Sequence, residues 1–168
     1  MAKFDVKVVE PKGASTRQYQ VQDRTSSSET DTVKAGEPVK LAAAGSPYVI
    51  PLATGDPEIG TDLFVGIAAG ESTETSSADG TVDVIEITPN TILEAKATTS
   101  TNVNTQAKID ALVGDTVCFD FDNTNYTIDE NEGDDDNVHA LRIVGGDPDK
   151  ETLQVKVKWQ ATDMGAAI

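Results

Sequence analysis

The sequence predicts a mainly β chain: a β-barrel or β-sandwich with one short α-helix and an extended N-terminal arm. Most of the chain is made of short runs in which apolar and polar residues alternate, the period of a half-buried strand. Roughly ten such runs are separated by clusters of Gly, Pro, Asn and Asp, at the spacing of a sandwich or barrel. Only one stretch, near residues 105–113, carries helical spacing.

Taken in order, Phe4–Val9 and Gln18–Gln22 alternate and read as two short strands broken by Pro11-Lys12-Gly13. Neither carries enough apolar surface to fold alone, so each must pair with the main body or with another chain. Residues 23–32 are wholly polar and read as a linker or exposed loop. The expected division is therefore 1–32, arm and polar linker, and 33–168, a β domain. On this reading the domain folds without residues 1–22, and Phe4, Val6, Val8, Tyr19 and Val21 are the arm's candidate partner contacts.

Within the domain, Val33–Leu41 reads as strand, turn, strand. Tyr48–Leu52 is a short strand whose Pro51 suits a sheet edge. Leu63–Ala68 is apolar throughout and predicts burial on both faces. Gly70–Gly80 reads as an exposed loop, Val82–Ile87 as a strand with one polar face, and Ile92–Ala97 as another. Ala107, Ile109, Ala111, Leu112 and Val113 fall at helical spacings, and Gly114 sits where a left-handed terminator belongs. Strands return at 116–121, 126–128 and 138–144. Gly145-Gly146-Asp147-Pro148-Asp149 reads as a turn, and Leu153–Trp159 is the cleanest period-two run, with lysines of the kind that guard an edge.

Composition removes several function classes. Asp plus Glu total 29 against 13 Lys plus Arg, a net charge of −16. That balance disfavours binding to nucleic acid or to an anionic membrane, because phosphates need cations to neutralise them. It suits either a soluble surface or a basic or cationic partner. No apolar stretch reaches the 18 or so residues of a membrane-spanning helix, and Met1–Asp5 lack the apolar run of a signal peptide. One Cys and one His exclude an intrachain disulfide and any two-His site.

Few groupings carry chemistry. The loop at 129–137 offers oxygen ligands for a divalent cation, with Asp129, Asn131, Asp134, Asp135 and Asp136 as candidates, but it lacks EF-hand spacing. A solvated turn is the plainer reading. Asp120 and Asp122 flank Phe121 and would share a strand face, as paired glycosidase carboxylates do; a hairpin end explains them equally well. Cys118 and His139 lack the spacing of a known dyad. Gly145-Gly146-Asp147 lacks the Lys and following helix of a phosphate loop. No cofactor and no enzymatic activity are expected.

The order of elements carries a resemblance: a polar arm, then Phe64-Val65-Gly66-Ile67-Ala68-Ala69, then Thr105–Asp115, Val117–Phe121 and His139–Pro148 before a last alternating strand. Over roughly residues 35–160 this resembles the small decoration, or cement, proteins of tailed bacteriophage capsids. The resemblance implies a non-enzymatic structural virion protein, often a homotrimer, on the outer surface of the shell. It implies the major capsid protein and the chain itself as partners, bridging and capsid stabilisation as its action, and synthesis in a bacterial cytoplasm. The alternatives are a tail-tube or head-fibre subunit, and a calcium-dependent β-sandwich adhesin or carbohydrate-binding module.

Overall fold

The computed structural model describes residues 6–10, 15–27, 32–132 and 138–158. Two antiparallel sheets make a β-sandwich rather than a closed barrel. The strands are β1 (Lys7–Glu10), β2 (Thr16–Val21), β3 (Pro38–Leu41), β4 (Val49–Pro51), β5 (Phe64–Ala68), β6 (Gly80–Glu86), β7 (Ile92–Lys96), β8 (Thr116–Phe121), β9 (Tyr126–Asp129), β10 (Leu141–Asp147) and β11 (Thr152–Val157). One sheet has six strands in the order β1-β7-β11-β10-β8-β9; the other has five, β2-β6-β5-β3-β4.

The helix expected near 105–113 is α2 (Gln106–Leu112), preceded by a single 3-10 turn at Ser100–Asn102. Ile109 is its buried residue, and Gly114 follows at φ 104°, where a side chain would be strained. A four-residue helix, α1 (Arg24–Ser27), lies in the segment expected to be loop. The Asp23 carboxylate caps it, accepting from the N–H groups of Thr25 (3.1 Å) and Ser26 (2.9 Å).

Alternation along each strand sends one set of side chains inward. The main core gathers Leu93, Ala95, Val117, Phe119, Leu141, Ile143, Leu153 and Val155 from the six-stranded sheet, with Leu52, Phe64, Ile67 and Ile87 from the other side. A second core lies within the five-stranded sheet: Val21, Val39, Val49, Ala68, Val82 and Val84, with Val33 over them. An isolated bridge between Gln20 and Tyr48 brings β2 towards β4, so this sheet curls round its own core; one bridge is not a ladder, and the sheet stays open.

Strand β5 serves both cores, as its unbroken apolar run predicts. A register shift between Val39 and Lys40 puts Phe64 opposite Lys40 and Ile67 opposite Pro38. That bulge lets Phe64 and Ile67, three residues apart, share the main-core side while Val65 and Ala68 face the second core. Gly66 is required between them, because a Cβ there would lie 2.0 Å from the Ile85 carbonyl oxygen.

The N-terminal segment is extended, but its two strands lie on the domain's own sheets. β1 pairs with β7 (Lys7 opposite Glu94) and β2 with β6 (Thr16 opposite Ile85). Removing these strands would take Val6 from one core and Val21 from the other. Three expectations are corrected. Val33 is buried but lies in no strand. Gly145 and Gly146 continue β10, and the turn comes after them, with Glu151 at φ 56°. β11 lies between β7 and β10, so its lysines guard no edge. The expectation for Trp159 lies outside the described residues.

Candidate functional site

The residues expected to contact a partner are placed as follows. Phe4 lies outside the described residues. Val6 is 3% exposed in the main core, and Val8 packs half-buried against it. Val21 is buried in the second core with Tyr19 packed beside it. Tyr19 donates its hydroxyl hydrogen to Glu86 Oε1 at 2.5 Å, and the Arg17 guanidinium lies 5.2 Å from its ring centroid. Burial, then the Glu86 hydrogen bond and charge, push the Tyr19 hydroxyl up to about 12. The side chains of Val6, Val8, Tyr19 and Val21 are thus engaged within the chain. What it offers outward is backbone: β1 is an edge strand of one sheet and β2 of the other.

Beside β2 the ends of the two sheets leave a groove of about 810 Å³. Arg17, Tyr19, Leu41, Val65 and Glu86 form one wall; Ile59, Val157 and Lys158 help close the other. These residues come from separated segments, so no local pattern announces the groove.

The loop at 53–62 locks the two sheets together beneath it. Gly55 N–H donates to the Phe119 carbonyl (2.9 Å), Phe119 N–H to the Asp56 carbonyl (2.7 Å) and Ala140 N–H to the Pro57 carbonyl (3.0 Å), all on the six-stranded side. From β3 of the other sheet, the Lys40 ammonium reaches Asp56 Oδ2 and Asp62 Oδ1, both at 2.7 Å. Burial disfavours all three charges. For Lys40 the two carboxylates outweigh it and the ammonium is held above its usual range. For Asp62, Lys40 and the Glu58 N–H outweigh it and the carboxyl is held low. For Asp56 burial, joined by the neighbouring Asp62, wins, and the carboxyl is raised.

The acidic loop is a turn where it is described. Asp129 Oδ1 accepts the Asn131 N–H at 3.0 Å, and Glu130 accepts the Thr99 N–H at 3.0 Å. Asp134, Asp135 and Asp136 lie outside the described residues. Among the described residues, no three His, Cys, Asp or Glu side chains sit where they would hold a metal ion. Asp122 Oδ1 accepts the N–H groups of Thr124 and Asn125, both at 2.8 Å, which closes the β8–β9 turn. Cys118 is buried in β8. Burial first, then the carboxylates of Glu132, Asp129, Asp120 and Asp56, push its thiol up to about 12, so it is a poor nucleophile at neutral pH. His139 is also buried, with Nε2 3.9 Å from Glu132 Oε2 and no hydrogen-bond partner at Nδ1.

No protein-family model matches the chain, and no curated protein matches it in sequence. The arrangement in hand is a two-core β body with its N-terminal strands at the sheet edges, a groove beside one of them, and its one thiol buried.

Proposed function

We propose that the chain is a non-enzymatic structural virion protein that binds the outer face of a phage capsid and stabilises it by bridging neighbouring capsid subunits. The observation that carries this reading is the position of the N-terminal segment. One short stretch supplies an edge strand to each sheet; β2 is bridged to Tyr48 on its outer side, whereas β1 pairs only with β7 among the described residues, so a neighbouring chain can extend the ladder there. The order of elements that resembles decoration proteins supports the same reading. On it, binding to an assembled shell stabilises the shell by mass action, because the opened state loses the contact.

Electron microscopy of the intact particle is the test. Density for this chain on the outer shell at the lattice axes, in many copies, is the expected result. Density stacked along a tail would make it a tube subunit, and absence from any particle would end the virion reading.

A further inference from the structure

The groove beside β2 holds apolar side chains that neither core uses. Ile59 and Leu63 are half-buried in its lining and belong to neither cluster. Leu41 and Val65 pack against the second core yet stay half-buried. The charged residues of the lining are two cations, Arg17 and Lys158, and three carboxylates, Glu58, Asp62 and Glu86. Glu86 takes the Tyr19 hydroxyl hydrogen at 2.5 Å and lies 3.7 Å from Arg17 Nη1; Asp62 holds the Lys40 ammonium at 2.7 Å. The two signs nearly balance, so the groove favours an apolar occupant over a strongly charged one. Beyond the Gln20–Tyr48 bridge, residues 16–18 of β2 pair only with β6 among the described residues, which leaves backbone edge open along the groove.

The chain itself arrives at this place. Strand β11 ends at Val157, and Val157 and Lys158 both line the groove. Lys158 N–H donates at 2.6 Å to the carbonyl of Ala140, another lining residue. Residues 159–168 follow and lie outside the described residues. Their composition departs from that of the whole. Charged residues make up 25% of the chain, but Asp163 is the one charge here, while Trp159, Ala161, Met164, Ala166, Ala167 and Ile168 are apolar. Fully extended, ten residues reach about 33 Å, more than the roughly 20 Å spanned by the six residues of β2.

We infer that residues 159–168 occupy the groove of their own chain, with Trp159 against Ile59 and Leu63 and the segment running along the open edge of β2. The occupant is nearly uncharged, as the lining asks, and it is tethered at the groove through Lys158, which gives it an effective concentration that a separate ligand must compete with. Seated there, it covers the Arg17 and Tyr19 wall, so a ligand for that wall has to displace it first. This goes beyond the capsid reading and does not depend on it.

Trp159 is the one tryptophan of the chain, so its fluorescence reports on this segment. In the intact protein its emission should lie to the blue of the urea-unfolded chain. Acrylamide should quench it about 10-fold less steeply than the unfolded chain, as for a released state populated near 10%. The variant Ile59→Asp/Leu63→Asp, changed at residues outside both cores, should bring emission and quenching back to the unfolded values. Trp159→Phe/Met164→Trp moves the reporter along the segment and should show the same protection, which contact beside Lys158 alone would not give. Circular dichroism checks that each variant is folded; if the first is not, the wild-type and moved-reporter readings decide. Unfolded-like quenching of the intact protein, an unprotected reporter at 164, or protection indifferent to the groove substitutions in a folded variant overturns the proposal. Protection that disappears on dilution also overturns it, because a neighbour's segment would then be filling the groove.

Discussion

Replacing Lys40 by Met tests the clasp between the two sheets. The ammonium sits 2.7 Å from each of two carboxylates, and the side chains are 19% (Lys40), 13% (Asp56) and 6% (Asp62) exposed. The Met side chain keeps the stem's volume but leaves Asp56 and Asp62 facing each other with nothing between them. Breaking a buried pair by removing one partner costs about 3–5 kcal/mol. Partial exposure places this case near the lower end, about 3 kcal/mol, or roughly 6–12 °C in Tm for a chain of this size. The pH dependence identifies the cause. Asp62 has a depressed carboxyl in the folded wild type, so its contribution is present above the unfolded carboxylate range and lost as pH falls through the folded value. In Lys40→Met that contribution is already gone, and protonating either carboxylate relieves the repulsion. Urea unfolding of both proteins between pH 7 and pH 3 should show a deficit that is largest at neutral pH and shrinks with acid. A loss below about 1 kcal/mol, the value of an exposed ion pair, or a deficit that grows with acid, would refute this account.

Other outcomes follow from the same structure. Tyr126→Phe removes the hydroxyl that donates to the Leu52 carbonyl at 2.7 Å in the main core; chemical denaturation should show a loss of about 1–3 kcal/mol. Gly66→Ala drives a Cβ to 2.0 Å from the Ile85 carbonyl oxygen, and a thermal melt should register at least about 3 kcal/mol of destabilisation, since backbone on both sides must move. Cys118 should resist a thiol reagent at pH 8 until denaturant unfolds the chain, because it is both buried and held protonated; fast labelling of the native protein would contradict that. Deleting residues 1–22 should lower the melting temperature or abolish soluble expression, because it removes Val6 and Val21 from the two cores.

What the sequence made legible was whatever a short window contains. Leu153, Val155 and Val157 declare β11 through period two alone, and Ile109 with Gly114 declares α2 and its end. Pairing is not local: nothing near Lys7 encodes that Glu94 lies opposite, so whether the first strands would join this body or a neighbour stayed open. Composition misled at Gly145-Gly146. Gly146 is needed for close approach, since a Cβ there would sit 2.4 Å from the Thr152 carbonyl oxygen and 3.3 Å from Ile109 Cδ1, whereas one on Gly145 would come no nearer than 3.7 Å to Gln154 Oε1. Helix α1 escaped notice because four polar residues have no apolar period, although Asp23 carried the capping signal. The groove is invisible in one dimension, because Arg17, Leu41, Glu86 and Lys158 meet only after folding.

The placement of β1 and β2 at the outer edges also sets an order of events at synthesis. Their partners are β7 and β6, so the first strands emerge from the ribosome long before Glu94 and Ile85 exist. At about 5–20 residues per second the wait lasts several seconds, during which the N-terminal segment has no ladder to join. The five-stranded sheet cannot be completed until β6 has emerged, nor the six-stranded one until β11 has, and contacts of such sequence separation place folding on the slow side of the range for small domains. The residues that close both sheets are thus translated first and seated late.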